Sequence, residues 1–158
     1  MKKEQIQEFT RRISQSNRSE LVVVTYDIFF AYLADAGEAY RNDDPPAFKE
    51  ALRGGQRAVE ELMRTLDFSY GLAGELYRIY VYCRDCLAKA MYKYDAAETK
   101  TAEQLMRRLC DAFVQAAAQD QSAPLMKNTQ QVYAGYTYGR DDLVETFADP
   151  DQSRGFLA

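Results

Sequence analysis

Residues 17–40, NRSELVVVTYDIFFAYLADAGEAY, constrain the chain more than any other stretch. Asn17-Arg18-Ser19-Glu20 has a capping-box pattern. The Asn17 side chain can accept from a free amide of the first helical turn, and Glu20 can reach back to the Asn17 amide. Beyond the cap, the apolar residues leave no wide polar face. Leu21, Val24, Ile28 and Tyr32 lie along one side, with Val22, Phe29, Leu33 and Ala36 beside them and Phe30 and Ala34 elsewhere. A helix that is apolar nearly all round must be covered on most sides, which places it at the centre of a bundle. Val22-Val23-Val24-Thr25-Tyr26 has strand propensity. The cap, the length and the continuation into AYLADAGEAY nevertheless favour helix, and no second stretch offers a strand partner. Tyr26-Asp27 interrupts the run, and Asp27 needs a hydrogen-bonding partner or water.

The rest of the chain supplies the covering helices. Residues 2–14 carry a narrow stripe, Ile6, Phe9 and Ile13, on a short amphipathic segment that either docks or stays mobile. Asp44-Pro45 is a cap followed by a first-turn proline. It opens a helix to about Leu66 with Phe48, Leu52, Gly55, Val59, Leu62, Met63 and Leu66 inward. Gly54-Gly55 in mid-helix reads as close packing against a bulky neighbour. A third helix is expected from Asp67 or Ser69 to about Tyr94, with Leu72, Leu76, Ile79, Tyr80, Cys83, Cys86 or Leu87, Ala90 and Met91 inward. A fourth is expected from Thr101 to about Gln119 on Ala102, Leu105, Met106, Leu109, Phe113, Ala116 and Ala117. The fold class is therefore all-α: an antiparallel four-helix bundle with a short extra N-terminal helix. Residues 1–119 form the bundle domain. Residues 120–158, punctuated by Pro124, Gly135, Gly139, Pro150 and Gly155 but rich in aromatics, read as an extended, partly ordered tail.

Composition removes whole classes of function. The chain of 158 residues has no histidine, which excludes Ser-His and Cys-His nucleophile pairs and the Glu-x-x-His ligands of di-iron bundles. Three cysteines cannot build a four-cysteine metal site and set no disulfide framework, which suits a reducing cytoplasm. Cys83-x-x-Cys86 falls in mid-helix on an apolar stripe, unlike a redox pair at a helix N-terminus, and reads as core. Acidic residues outnumber basic ones, 24 to 20, which argues against a nucleic-acid partner. No secretory signal, membrane insertion, cofactor or catalytic residue is expected. Twelve tyrosines and eight phenylalanines remain to be placed, either as core filling or as a protein-binding surface.

The order of features resembles the FliS family, the flagellar secretion chaperones for flagellin. Four places within about residues 13–117 carry the resemblance. Leu21 through Phe29, with Tyr26-Asp27, resembles the family's Leu-rich run ending in Leu-Tyr-Asp-Gly. Val59 through Asp67, VEELMRTLD, resembles its Ile-x-x-Leu-x-x-x-Leu-Asp segment. Gly71 through Tyr82, GLAGELYRIYVY, resembles its Gly-rich turn and Asn-Leu-x-x-Leu-Tyr-Asp-Tyr. Leu105 through Phe113 resembles its last helix. The chain departs at Asn17-Arg18, where the family has Ser-Pro, and at Ile28, Val81 and Phe113, where it has glycine, a carboxylate and tryptophan.

The resemblance implies a cytoplasmic export chaperone. It would bind the disordered C-terminal segment of flagellin, prevent premature polymerisation, and meet the flagellar export machinery as a second partner. On this reading the groove residues are Ile13, Leu21, Tyr26, Asp27, Leu76, Tyr77, Tyr80 and Tyr82. Ile6 and Phe9, with Tyr133, Tyr136 and Phe156 of the tail, would form arms able to occupy the groove. The competing reading is a divergent bundle adaptor for another client, its groove covered by its own tail.

Overall fold

A computed structural model of the chain describes residues 1–126. Five α-helices follow in order: α1 (Lys3–Gln15), α2 (Arg18–Arg41), α3 (Pro45–Arg64), α4 (Ala73–Lys93) and α5 (Thr99–Ala117). A single 3-10 turn, Ala96–Glu98, precedes α5. Helices α2 to α5 form the antiparallel bundle, with α2 packed on α3 and α5, and α4 packed on the same two. Short α1 lies against α2. No strand occurs among the described residues.

The expected punctuation sets the boundaries. Asn17 Oδ1 accepts from the Glu20 amide at 2.9 Å, and Glu20 Oε2 accepts from the Asn17 amide at 2.9 Å, closing the capping box of α2. Asp44 Oδ1 accepts from the Ala47 amide at 3.0 Å, with proline at the first turn of α3. The start of α4 is later than the sequence suggests. Asp67 spends its carboxylate on the Ser69 amide, 2.9 Å away, and so stabilises a turn rather than capping a helix. Helix α4 then begins at Ala73, and Leu72, expected inward, is exposed at its N-cap.

The core runs down the bundle axis through Tyr26, Phe29, Phe48, Leu52, Val59, Leu62, Tyr80, Leu87 and Met106. Gly55 lets α3 approach closely, since a Cβ there would sit 3.3 Å from Leu87 Cδ1 and 3.8 Å from Phe29 Cδ2. One end of the bundle is sealed by Tyr40, Phe48 and Tyr94, whose ring centroids lie 5.3–5.7 Å apart. The Tyr94 hydroxyl donates to Asp43 at 3.1 Å. Both residues have positive φ, 52° and 49°, an unfavourable backbone state for non-glycine residues that the ring cluster and this bond hold in place.

At the other end the chain turns back after α5. Asn17 Nδ2 donates to the carbonyls of Asp120 and Ser122, each at 3.3 Å, and the Ser19 hydroxyl donates to the Asp120 carboxylate at 2.6 Å. The Leu125 amide donates to the Ser16 carbonyl at 3.1 Å. The cap of α2 therefore also ties down residues 120–125, a role the local sequence pattern does not reveal. Tyr133, Tyr136 and Phe156 lie outside the described residues.

Candidate functional site

A recess of about 750 Å³ opens between α2 and α3. Two stripes of opposite character build it. Helix α2 contributes Leu21, Thr25, Ile28 and Tyr32, with Val22 beside them, at the spacing of one helical face. Helix α3 contributes Gly54, Ala58 and Glu61 on one face, with Arg57 beside them and its C-cap Thr65 at the end. The small side chain of Ala58 leaves room on the α3 wall, while at Gly54 the missing side chain is replaced by the Tyr32 ring from α2. From Leu21 to Tyr32 the stripe is roughly 16 Å long at 1.5 Å per residue, the length of about three helical turns. Ile13 of α1 closes one edge, and Arg18 stands at the α2 N-terminal mouth.

Helix α1 sits beside this recess as a held arm. Arg12 donates to Asp27 at 2.6 Å, so the carboxylate that interrupts α2 is partnered by α1. The Arg12 guanidinium also lies 5.9 Å from the centroid of the Phe9 ring. Both charged side chains are about one-third exposed, so the ion pair is within reach of water and salt. On the far side of α1 a second recess, about 430 Å³, is lined by Arg12, Gln15, Glu20, Val23, Val114 and Ala117 among others.

The expected groove residues separate into four positions. Ile13 and Leu21 line the recess. Asp27 is half-buried beneath α1. Tyr77 and Tyr82 are exposed on α4, outside the recess, with Tyr77 edge-on to Phe68 at 5.9 Å; Leu76 packs partly against the core. Tyr26 and Tyr80 require a correction: they are 0% and 1% exposed, and their hydroxyls meet at 2.6 Å inside the core. Burial raises both phenols above the ordinary tyrosine range. They belong to the scaffold. Of the expected arm residues among those described, Ile6 is exposed and Phe9 half-buried on α1.

Periodicity places Val22, Ile28 and Tyr32 on apolar stripes and Gly54 reads as a close-packing position, but none of them, nor Thr25 and Ala58, was expected to line a groove. The available signal was the pairing of a bulky stripe on one helix with a small stripe on its neighbour. That signal is visible only once the two helices are known to be adjacent.

The cysteine pair is a core feature. Cys83 and Cys86 are buried, and Cys83 is pushed up to about 12 by burial first and by Cys86 second. A thiol so held is not a nucleophile at neutral pH. Among the described residues no cluster of three or more acidic or thiol side chains is arranged to hold a metal, and no helix is long and apolar enough to cross a membrane.

The architecture is an all-helical bundle with a recess between two of its helices that is apolar along α2. Over residues 1–120 the chain matches the family described as flagellar protein FliS, and it belongs to that family. Membership makes it a flagellar export chaperone. No curated protein sequence matches the chain.

Proposed function

We propose that the α2–α3 recess binds the C-terminal segment of flagellin as an amphipathic helix and so prevents its polymerisation before export from the cytoplasm. The observation that carries this reading is the recess itself, a trough of about three helical turns that is apolar along α2 and carries Arg18, Arg57 and Glu61 in its lining. A client helix with apolar residues at i, i+3 or i+4, and i+7 would place its stripe along Leu21, Ile28 and Ala58. A segment disordered when free pays its ordering cost on binding, which favours a complex that can be released at the export machinery.

Helix α1 regulates entry on this reading. It closes the edge of the recess through Ile13 and is retained by the Arg12–Asp27 pair, so client and arm compete. The test is titration calorimetry with a cognate flagellin C-terminal fragment. A one-to-one complex at micromolar concentration is expected; absence of any complex there rejects the reading. Capture of an unrelated client in the same recess would favour the adaptor alternative.

A further inference from the structure

The two adjacent glycines of α3 face different surroundings, and only one of them is explained by core packing. Gly55 faces Leu87 and Phe29 inside the bundle. Gly54 faces Tyr32, and the three nearest atoms to a Cβ built there all belong to the Tyr32 ring and would overlap it. Gly54 is buried under that ring, and both residues line the α2–α3 recess. The ring thus reaches from α2 across to the backbone of α3. Arg57, one turn further along α3, also lines the recess, and its guanidinium donates to Glu50 at 3.1 Å.

We infer that Gly54 is a specificity-determining residue that fixes the length of the recess by giving the Tyr32 ring a surface to lie on. This rests on the reading of the recess as the client groove. With the ring seated on Gly54, Tyr32 forms the end wall and the space towards Ile28 and Ala58 stays open. A methyl group at position 54 displaces the ring. The free volume beside it is the recess, so the displaced ring shortens the groove by filling its end. The client's last apolar anchor then loses its seat.

The substitution Gly54→Ala gains helix propensity but must also push the Tyr32 ring aside, so the thermal midpoint is read alongside affinity. The expected result is a weaker complex with the flagellin C-terminal fragment, by about tenfold, the scale of losing one buried anchor. The thermal midpoint should stay close to the native one, the helix-propensity gain offsetting the displaced ring. In a Tyr32→Ala background the same Gly54→Ala change should have no effect on affinity, because there is no ring to displace. Equal losses in both backgrounds, or unchanged affinity in the first, overturn the inference. A second measurement needs no client: nuclear Overhauser contacts between the Gly54 α-protons and the Tyr32 ring should be present in the native protein. In Gly54→Ala the ring signals should shift, and unshifted signals also overturn the inference. If the native chain binds no fragment at all, the functional reading fails, while the spectra still decide whether Gly54 positions the ring.

Discussion

The two sides of α2 are nearly equal in apolar character and opposite in role. On the side facing the bundle axis, Tyr26 and Phe29 are wholly buried against α3, α4 and α5. On the side facing the edge of α3, Leu21, Thr25, Ile28 and Tyr32 are only half-buried and line an open trough. Hydrophobicity does not separate them; the neighbouring helix does. Inside the bundle α3 presents Leu52, Val59 and Leu62, which fill the space. Along the recess it presents Gly54, over which the Tyr32 ring lies, and Ala58, whose small side chain leaves space. A groove in a small bundle is thus made by under-filling one wall while keeping the other apolar.

Substitutions on the two sides should therefore have separable effects. The largest is expected on the axial side. Tyr26→Ala removes a fully buried ring that lies 5.7 Å from the Phe113 ring centroid and leaves the Tyr80 hydroxyl without its partner. The expected cost is about 3–5 kcal/mol from cavity formation, seen as a large fall in the denaturation midpoint. If the midpoint barely moved while client binding vanished, Tyr26 would be a groove residue after all. On the open side, Leu21→Asp places a carboxylate in the trough without touching the core. Stability should change by no more than about 1 kcal/mol, while the client complex weakens at least about tenfold. Calorimetry and a urea titration on the same variant separate the two; loss of stability without loss of affinity would merge the faces again.

Much of this was legible in the sequence, for identifiable reasons. The caps at Asn17 and Asp44 are local, satisfied within three residues, so pattern alone places them. The inward stripes of α3 and α5 follow from helical period. The family motifs supplied the functional class. What the sequence concealed depends on neighbours. Tyr80 lies on an inward stripe by period, yet the resemblance places it with Tyr26 in the groove; the two hydroxyls instead satisfy each other in the core across 54 positions of sequence. Leu72 looks inward by period, but the Asp67 turn delays the helix. The recess needs two helices to be seen at once. Phe30, which fits neither apolar stripe of α2, is covered by the Arg107 guanidinium 4.7 Å above its ring, a cation–π contact that periodicity cannot anticipate.

A smaller effect is expected where α1 meets α2. Asp27 was expected in the groove, where its loss would weaken binding. With Arg12 as its partner, Asp27→Asn instead loosens the arm that closes the recess. An exposed pair of this kind is worth roughly 0.2–1 kcal/mol, so client affinity should rise by a few fold at most. The gain should disappear at high salt, where the native pair is screened as well. An affinity that falls, or a gain that persists in high salt, would place Asp27 in direct contact with the client.

The smallest effect concerns the strap that ties residues 120–125 to the cap of α2, and it bears on how far the rigid side of the comparison extends. The Ser19 hydroxyl first, and the Ser122 amide next, hold the Asp120 carboxyl at about 2, below the usual range. A carboxylate stabilised in the folded state contributes while the pH stays above its unfolded value, and the contribution is lost as pH falls through the folded one. The strap should therefore be secure at neutral pH and loosen only between about pH 4 and pH 2. Carbon-detected titration of Asp120 should show a midpoint near the lower value, and Ser19→Ala should move it up towards an ordinary aspartate while leaving the core cluster unchanged. The Leu125 amide, which donates to Ser16, should lose protection from exchange in the same variant. If the midpoint stays low without Ser19, the Ser122 amide is sufficient by itself. The strap would then rest on Asn17 Nδ2, which donates to the Asp120 and Ser122 carbonyls, rather than on the Ser19 hydroxyl.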